Sequence, residues 1–280
     1  MEDAMTTINS PASDWSEVAD AWDTHVDDID EVSSAATSAM LDRLAVRSGD
    51  RVLELAAGPG NLGATWSRRV GPAGAVVLSD IAQGMVEVAR RRNAAFANVE
   101  VATIDASAIV RPDGSFDIVA SRMGLMFTPE PAVAFAEIRR VLAPGGRFAA
   151  LTWAGPEHNP WLTCVGMAAM INGLVAGGPP VGPGSIFSLG DPNVLESLAK
   201  GAGFDAVTVD ELPVVFPADD IDSHVNRVSS LAGPLAAAFR NAPSEQLAAV
   251  RRTAADLAAP YTTDAGLAIP GRALLVAGRA

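Results

Sequence analysis

Cysteine, tyrosine, histidine and lysine are scarce in this chain of 280 residues, and acidic residues outnumber basic ones. Cys164 is the only cysteine, which excludes an intrachain disulfide and a metal cluster held by several cysteines. The 33 acidic residues against 20 lysines and arginines give a formal net charge of -13. That charge disfavours nucleic acid and an anionic membrane surface as partners, because both bind basic protein surfaces. No group of histidines and carboxylates in the sequence predicts a metal site.

Long apolar runs are absent as well. No segment is long enough to cross a membrane, and the first residues lack the basic flank and apolar stretch of a signal peptide. We therefore expect a soluble, cytoplasmic protein. Hydrophobic residues still make up 49% of the chain, which is enough for a sizeable core. These properties fit an enzyme with a small-molecule substrate and leave the oligomeric state, a homodimer included, open.

What the chain does contain is an alternation of strand and helix patterns. Alternating elements imply parallel strands joined by right-handed crossovers, and two further strands follow later in the chain. Two helices, at 14–29 and 32–46, precede the alternation. The predicted strands are 51–55, 75–79, 99–104, 116–121, 147–153, 206–212 and 272–277.

Three segments are added to this alternation. Residues 1–30 form an N-terminal helical segment, in which Asp14 and Glu17 have the spacing of a helix-capping pair. The insertion at 154–188 contains the run AGGPPVGPGS, which is incompatible with regular structure, and the insertion at 217–270 is mainly helical by composition. We expect residues 31–280 to form one domain, with 1–30 and 154–188 closing over a ligand as a lid.

The stretch LELAAGPGNLG, residues 53–63, follows the first strand. Its glycines have the spacing of a dinucleotide-binding loop, and a glycine turn lets the backbone approach a ligand closely. A tight strand-to-helix turn is the plainer alternative. Glu54 argues against a dinucleotide, because a carboxylate there would repel a pyrophosphate at the helix N-terminus.

Two further acids follow neighbouring strands. Asp80 ends the second strand, where a carboxylate can accept hydrogen bonds from both hydroxyls of a ribose. Asp105, in the run IDAS after the third strand, suits the amino group of an adenine. Capping of the next helix by Asp80 and an ordinary loop position for Asp105 are the alternatives.

The whole run VLELAAGPG…VVLSD…IDAS…FDIVASRMGLMF…LAPGGRFAALTW resembles the class I S-adenosylmethionine-dependent methyltransferases. Within that class it is most similar to small-molecule enzymes related to the quinone-biosynthesis C-methyltransferases. The resemblance covers roughly residues 35–153, LAKGAGF and the last two strands. It implies a Rossmann-like, doubly wound, mostly parallel α/β sheet of seven strands with the last strand antiparallel, N-terminal helices and a helical insertion.

The resemblance also assigns cofactor-binding residues for S-adenosylmethionine. Glu54 would help to hold the methionine amino group, Asp80 would bind the ribose, and Ile81 and Met85 would flank the adenine. Ala56 stands where the family has the first glycine of its loop. The full cofactor-binding set implied is Glu54, Ala56, Gly58, Gly60, Asp80, Ile81, Met85, Asp105, Ala106, Ser121 and Arg122.

The acceptor side is less defined. His158, just after the fifth strand, and His25, on the N-terminal helical segment, are the candidate general bases, with a surface histidine as the alternative for each. His224 and Tyr261 complete the candidates. Methionines and aromatic residues after strands four and five favour an apolar or aromatic acceptor if they line a pocket, with core packing as the alternative. An NAD(P)-dependent oxidoreductase and a non-catalytic S-adenosylmethionine-binding protein are the other functions considered.

Overall fold

The computed structural model describes residues 15–231 and 233–280, so the predicted helix start at Asp14 lies outside the described residues. The helices are α1 (Ala19–Thr24), α2 (Val26–Leu44), α3 (Gly63–Val70), α4 (Gln83–Asn93), α5 (Pro131–Val141), α6 (Pro160–Ile171), α7 (Pro192–Gly201), α8 (Ile221–Leu231), α9 (Gly233–Asn241) and α10 (Ser244–Ala258). The strands are β1 (Arg51–Glu54), β2 (Ala75–Asp80), β3 (Val99–Thr103), β4 (Phe116–Arg122), β5 (Leu142–Trp153), β6 (Asp205–Ala218), β7 (Thr262–Thr263) and β8 (Gly266–Arg279).

Seven strands form one sheet in the order β3-β2-β1-β4-β5-β8-β6. Strands β1 to β5 are parallel to one another, and β8 runs antiparallel to both β5 and β6. The two-residue β7 pairs with β8 at one end. This arrangement confirms the predicted Rossmann-like, mostly parallel sheet with its last strand antiparallel. The strand order reverses between β1 and β4, which is the point where doubly wound folds bind ligands.

Burial explains why the central elements were predictable. Val52 of β1 and Leu78 of β2 are fully buried, and strands buried on both faces have continuous apolar sequences. Helix α7 begins where the sequence predicts because the side chain of Asp191 accepts a hydrogen bond from the N–H of Asn193 at 2.8 Å. Pro192 occupies the first position of this helix, where its missing N–H costs nothing.

The N-terminal helices divide at His25 and not near residue 30 as predicted. The indole N–H of Trp22 donates to the carbonyl of Leu231 at 3.0 Å, so α1 faces the insertion. Met40 of α2, in contrast, packs in the main core. The break between the two helices lets α1 pack against the insertion and α2 against the main core. The spacing of apolar residues alone does not reveal such a change of packing partner.

The last two long strands extend further than predicted. Strand β5 stops at Trp153, opposite Ala273 of β8. Beyond that pair β6 and β8 continue together as a two-stranded ribbon, residues 213–218 and 267–272. The ribbon passes the carboxyl edge of the sheet.

The insertion helices α8 to α10 lie between the two strands of the ribbon and span residues 221–258. This helical part is narrower than the predicted 217–270, because the ends of that range belong to the ribbon. Pro213 and Pro217 lie on β6, an edge strand, where proline is tolerated. These prolines interrupt the strand pattern in the sequence, which explains the shorter prediction.

Candidate active site

The glycine loop between β1 and α3 lies at the switch point of the sheet, bordered by the carboxyl ends of β1, β2 and β4. A Cβ on Gly60 would lie 2.7 Å from Asn93 Nδ2, and one on Gly63 would lie 1.9 Å from Asn93 Oδ1. These two glycines therefore allow the loop and α3 to pack against α4. Gly58 has a φ of +56°, and a Cβ added to it would have no heavy atom within 4 Å. The space beside Gly58 is therefore open, and a ligand can come close to its backbone.

The carboxylate of Asp80 is held by two backbone N–H groups. Its Oδ2 accepts from Gly58 at 2.9 Å and its Oδ1 from Ala82 at 2.9 Å. Burial raises the pKa of Asp80, and these backbone donors oppose the rise. The capping alternative is not observed, because Ala82 is itself the N-cap residue of α4 and no side-chain hydrogen bond caps that helix. The N–H of Ile81 is a third backbone donor acting on this carboxylate, and the three donors orient it while leaving part of its capacity to accept hydrogen bonds free.

The residues predicted around an adenine differ in exposure. Ile81 is 44% exposed and Ala106 is half-buried. Asp105 is exposed, and its Oδ1 accepts from the N–H of Ser107 at 2.8 Å, as expected of a turn. Met85 is buried and belongs to a small cluster that also contains Val18, Ala19, Ala82, Val88 and Ala236. Met85 thus contacts the N-terminal segment and the insertion, and its adenine role stays a prediction.

Glu54 is buried at the end of β1. Its Oε2 accepts a hydrogen bond from the indole N–H of Trp66 at 2.7 Å. Burial raises the pKa of Glu54 to about 7, while the positive charge of Arg122 and the bond from Trp66 oppose the rise. A cation placed beside this carboxyl would favour its ionised form. Sequence analysis identified the acid but not Trp66, its partner on α3.

Arg122, at the end of β4, is joined to α2. Its Nη1 donates to Asp30 Oδ1 at 2.7 Å, and Nδ2 of Asn61 in the glycine loop donates to the same oxygen at 3.0 Å. Ser33 and Thr37 lie 3.5 Å from Arg122 Nη1. Sequence analysis missed Asp30 and Asn61. A sequence pattern could have indicated these contacts, because Asp30, Ser33 and Thr37 are spaced so that they lie on one face of a helix.

Ala56 takes the left-handed conformation, with a φ of +50°, at the position where the related family has glycine. Its methyl group lies over Gly124, since a Cβ on Gly124 would come 2.3 Å from Ala56 Cβ. Met123, next to Gly124, is left-handed too, with a φ of +58°. Non-glycine residues in this conformation are strained and persist where the surroundings impose it. The loop after β1 and the turn after β4 are therefore packed backbone to backbone.

The cover segment, residues 15–24, crosses the crevice. The ring of Trp15 lies 4.7 Å from that of Phe127, in the turn after β4. The hydroxyl of the adjacent Ser16 accepts from the N–H of Gly84, at the start of α4 after β2, at 3.2 Å. Neighbouring residues therefore contact the elements that follow β2 and β4, which places this segment above the end of β1. This position is compatible with the predicted role as a lid. The opening and closing movement that a lid requires stays a prediction.

The two candidate bases lie away from these groups. His158 is exposed, 3.5 Å from Glu157, and lines a surface pocket with Asp191 and Glu211. His25 lies at the helix break, with Nδ1 3.5 Å from Asp28 Oδ2. Within the described part of the chain, neither histidine hydrogen-bonds to a predicted cofactor residue, and their catalytic role stays a prediction.

Among the described residues, four buried side-chain atoms have no hydrogen-bond partner. Two border the crevice: Asn61 Oδ1 in the glycine loop and Ser121 Oγ at the end of β4. The other two, His224 Nδ1 and Arg227 Nε, lie on α8. Buried polar atoms nearly always have partners, so unpaired ones at a crevice fit contact with a polar ligand such as the methionine portion of S-adenosylmethionine.

The described ranges contain no group of three or more histidine, cysteine, aspartate or glutamate side chains placed to hold a metal ion. No helix within them combines the length and the apolar character needed to cross a lipid bilayer.

The part of the chain that forms the crevice is similar in sequence to known methyltransferases. Residues 52–146 match the methyltransferase domain family. Ubiquinone/menaquinone biosynthesis C-methyltransferase UbiE of Erwinia tasmaniensis is 41% identical over 123 residues, which are 43% of this chain and 49% of that protein. The corresponding enzyme of Pseudomonas entomophila is 42% identical over 117 residues, 41% of this chain and 46% of that protein. The chain therefore spans about half the length of the curated relatives it matches.

A solved structure extends the likeness to the fold. Phosphoethanolamine N-methyltransferase 2 of Haemonchus contortus, in complex with phosphomonomethylethanolamine and S-adenosylhomocysteine, superposes with a TM-score of 0.60. The alignment covers 97% of this chain and 61% of that chain at 17% identity, a level that supports the fold alone. The sheet order and the solved structure show the fold of the class I methyltransferases, and residues 52–146 match a methyltransferase domain that is similar in sequence to part of the quinone-biosynthesis C-methyltransferases.

Proposed function

We propose that this protein transfers the methyl group of S-adenosylmethionine to a small, apolar or aromatic acceptor, at carbon or oxygen. The observation that carries the proposal is a pair of carboxyl groups inside the matched domain: Glu54 directly before the glycine loop, and Asp80 at the end of β2, which accepts from Gly58 of that loop. The relatives matched over that part are C-methyltransferases, which favours carbon as the methylated atom. The cover segment and both insertions, to which we assign acceptor binding, lie outside the matched residues 52–146.

The residues of the crevice fit the parts of the cofactor. Glu54 suits the ammonium group, because a neighbouring cation stabilises a carboxylate that burial has destabilised. Asp80 is oriented to accept hydrogen bonds from ribose hydroxyls. Ile81 offers an apolar side chain to the face of an adenine, and Asp105 offers an acceptor for its amino group.

Other groups fit the methionine portion. Ser121 Oγ and Asn61 Oδ1 are buried without partners, and a polar ligand would satisfy both. Arg122 lies nearby but is already paired with Asp30, so we assign it to positioning the loop. When bound, the cofactor supplies an activated methyl group on a sulfonium ion.

The protein promotes such a transfer by positioning the acceptor and by excluding water from the site. An in-line displacement needs the acceptor atom close to the methyl group and aligned with it. The cover segment is joined to the insertion, because Arg240 of α9 pairs with Glu17 at 3.3 Å and Trp22 donates to the carbonyl of Leu231; we assign to this joined surface the exclusion of water from the crevice. Exclusion of water strengthens the electrostatic interactions inside the site.

Calorimetry tests the cofactor half of the proposal, with S-adenosylmethionine, S-adenosylhomocysteine and NAD as ligands. We expect the first two to bind and NAD not to bind, because the buried acid Glu54 disfavours a pyrophosphate. Absence of S-adenosylhomocysteine binding, or tighter binding of NAD, would refute the assignment.

Transfer of a radiolabelled methyl group to phenols, hydroquinones and their methyl ethers tests the catalytic half. Cofactor binding without turnover on any acceptor would favour a non-catalytic binding protein instead.

A further inference from the structure

His224 is fully buried on α8, and its two ring nitrogens differ. Nε2 lies 2.6 Å from the carbonyl oxygen of Trp161. A carbonyl only accepts hydrogen bonds, so Nε2 carries the proton and Nδ1 presents a lone pair. Nδ1 is buried and has no partner. Burial lowers the pKa of His224 to about 4, so the ring is neutral and keeps this tautomer at ordinary pH.

Arg227 lies one helical turn further along α8. Its Nη2 donates to the carbonyl of Pro217 at 2.6 Å, whereas its Nε–H is buried without a partner. Residues three apart lie on the same face of a helix, and the positive charge of Arg227 also lowers the pKa of His224. The helix thus presents an unpaired acceptor and an unpaired donor, one turn apart.

The surroundings place this pair on the side where an acceptor would enter. The ribbon carries α8 beyond the carboxyl edge of the sheet. Below α8, the ring of Trp161 stacks on Phe216 at 4.2 Å. Asp28, whose charge acts on Arg227, is two residues from Asp30, the partner of Arg122. Helix α2 therefore carries one acid whose charge acts on Arg227 and another that pairs with Arg122 at the crevice.

We propose that His224 Nδ1 and Arg227 Nε bind a hydroxyl group of the methyl acceptor, with the hydroxyl proton donated to His224 and the hydroxyl oxygen accepting from Arg227. A hydroxyl both donates and accepts, so a single group complements both atoms. An ammonium group cannot accept and would be repelled by Arg227. The stacked Trp161 and Phe216 favour an aromatic body, so the acceptor class is a phenol or a related enol.

This inference rests on the proposed methyl transfer, but its test does not require turnover. The three histidines of the chain, His25, His158 and His224, can be followed individually by nitrogen NMR in the full-length protein loaded with S-adenosylhomocysteine. Phenol is the probe and anisole, its methyl ether, is the matched control. We expect phenol to shift the Nδ1 resonance of His224 and to bind roughly tenfold more tightly than anisole. His25 and His158, which lie on other elements of the fold, serve as internal references.

Variants separate this role from a structural one. Arg227→Met and Arg227→Lys both remove the Nε donor, and the second keeps the charge in case the first does not fold. Each should reduce the preference for phenol over anisole to about twofold while S-adenosylhomocysteine affinity stays unchanged. Arg251→Met is the control, because Arg251 of α10 contacts the same helix, pairing with Asp222 of α8 at 2.9 Å, so this variant loosens α8 without removing the Nε donor of Arg227.

Several results would overturn the inference. An unshifted His224 resonance at saturating phenol would mean that water alone fills the gap between the two groups. Equal affinity for phenol and anisole, or a preference that survives both Arg227 variants, would do the same. Failure of the wild-type protein to bind S-adenosylhomocysteine would instead refute the proposed function. Refutation of this inference and refutation of the proposed function are therefore distinguishable.

Discussion

Replacing Glu54 with glutamine should make the ligand-free protein progressively more stable than wild type as pH rises. Glu54 is buried, and burial raises its pKa from 4.5 to about 7. Glutamine keeps a carbonyl oxygen that can accept the hydrogen bond from Trp66, which lies 2.7 Å from the carboxylate. The substitution therefore removes the charge and leaves the packing nearly unchanged.

The sign follows from the two protonation states. Below pH 4.5 Glu54 is protonated in both folded and unfolded protein, so it costs nothing. As pH rises towards 7 the unfolded chain ionises first, and the folded state loses relative stability. At 1.36 kcal/mol per pKa unit, the raised pKa corresponds to about 3 kcal/mol lost by pH 8. The variant escapes that loss, which amounts to a melting-temperature advantage of about 6 °C for a domain of this size.

Thermal and urea unfolding at pH 4.5, 6, 7 and 8 would measure this difference. Glu31→Gln, on the exposed face of α2, is the control and should show no such trend. A stability difference between Glu54→Gln and wild type that stays constant from pH 4.5 to 8 would refute the reasoning. Saturating S-adenosylhomocysteine should shrink the difference, because an ammonium group beside Glu54 favours the charged form.

Three further substitutions test other contacts. Asp80→Ala should weaken S-adenosylhomocysteine binding about 10- to 100-fold and also lower the melting temperature, because two backbone N–H groups lose their acceptor; unchanged calorimetric affinity would remove Asp80 from the ribose site. Asp105→Ala should weaken binding less, and wild-type affinity would make it a turn residue only. Gly124→Ala should destabilise the protein by roughly 1–3 kcal/mol, because its Cβ would lie 2.3 Å from that of Ala56. Most of that cost should disappear when Ala56→Gly is also present, and a urea-unfolding cost that is unaffected by the second change would contradict the packing argument.

The parts of the site that are local in sequence were predictable. The glycine loop, Glu54 and Asp80 each follow a buried strand directly, so the strand pattern alone places them at one edge of the sheet. Helix α4 was predicted with both ends correct, since its apolar residues have a helical period and the chain turns at once on either side.

Groups that depend on distant partners were not predictable. The partner of Arg122 is Asp30, 92 residues away, and the tautomer of His224 depends on Trp161, 63 residues away. Nothing in the sequence near His224 distinguishes a buried histidine with an open lone pair from a surface one. The left-handed Ala56 is a second case, because an alanine at that position gives no sign of its conformation until the turn containing Gly124 is packed against it.

The ribbon has a consequence for how this domain can diversify. Ala218 and Leu267, at its far end, are paired across the two strands, so the intervening residues 219–266 leave and re-enter the sheet at adjacent points. Closing that gap with a two-residue turn such as Asn-Gly would preserve the strand register. The insertion helices can therefore be exchanged as a cassette, by recombination or by design, while the crevice for the methyl donor keeps its geometry.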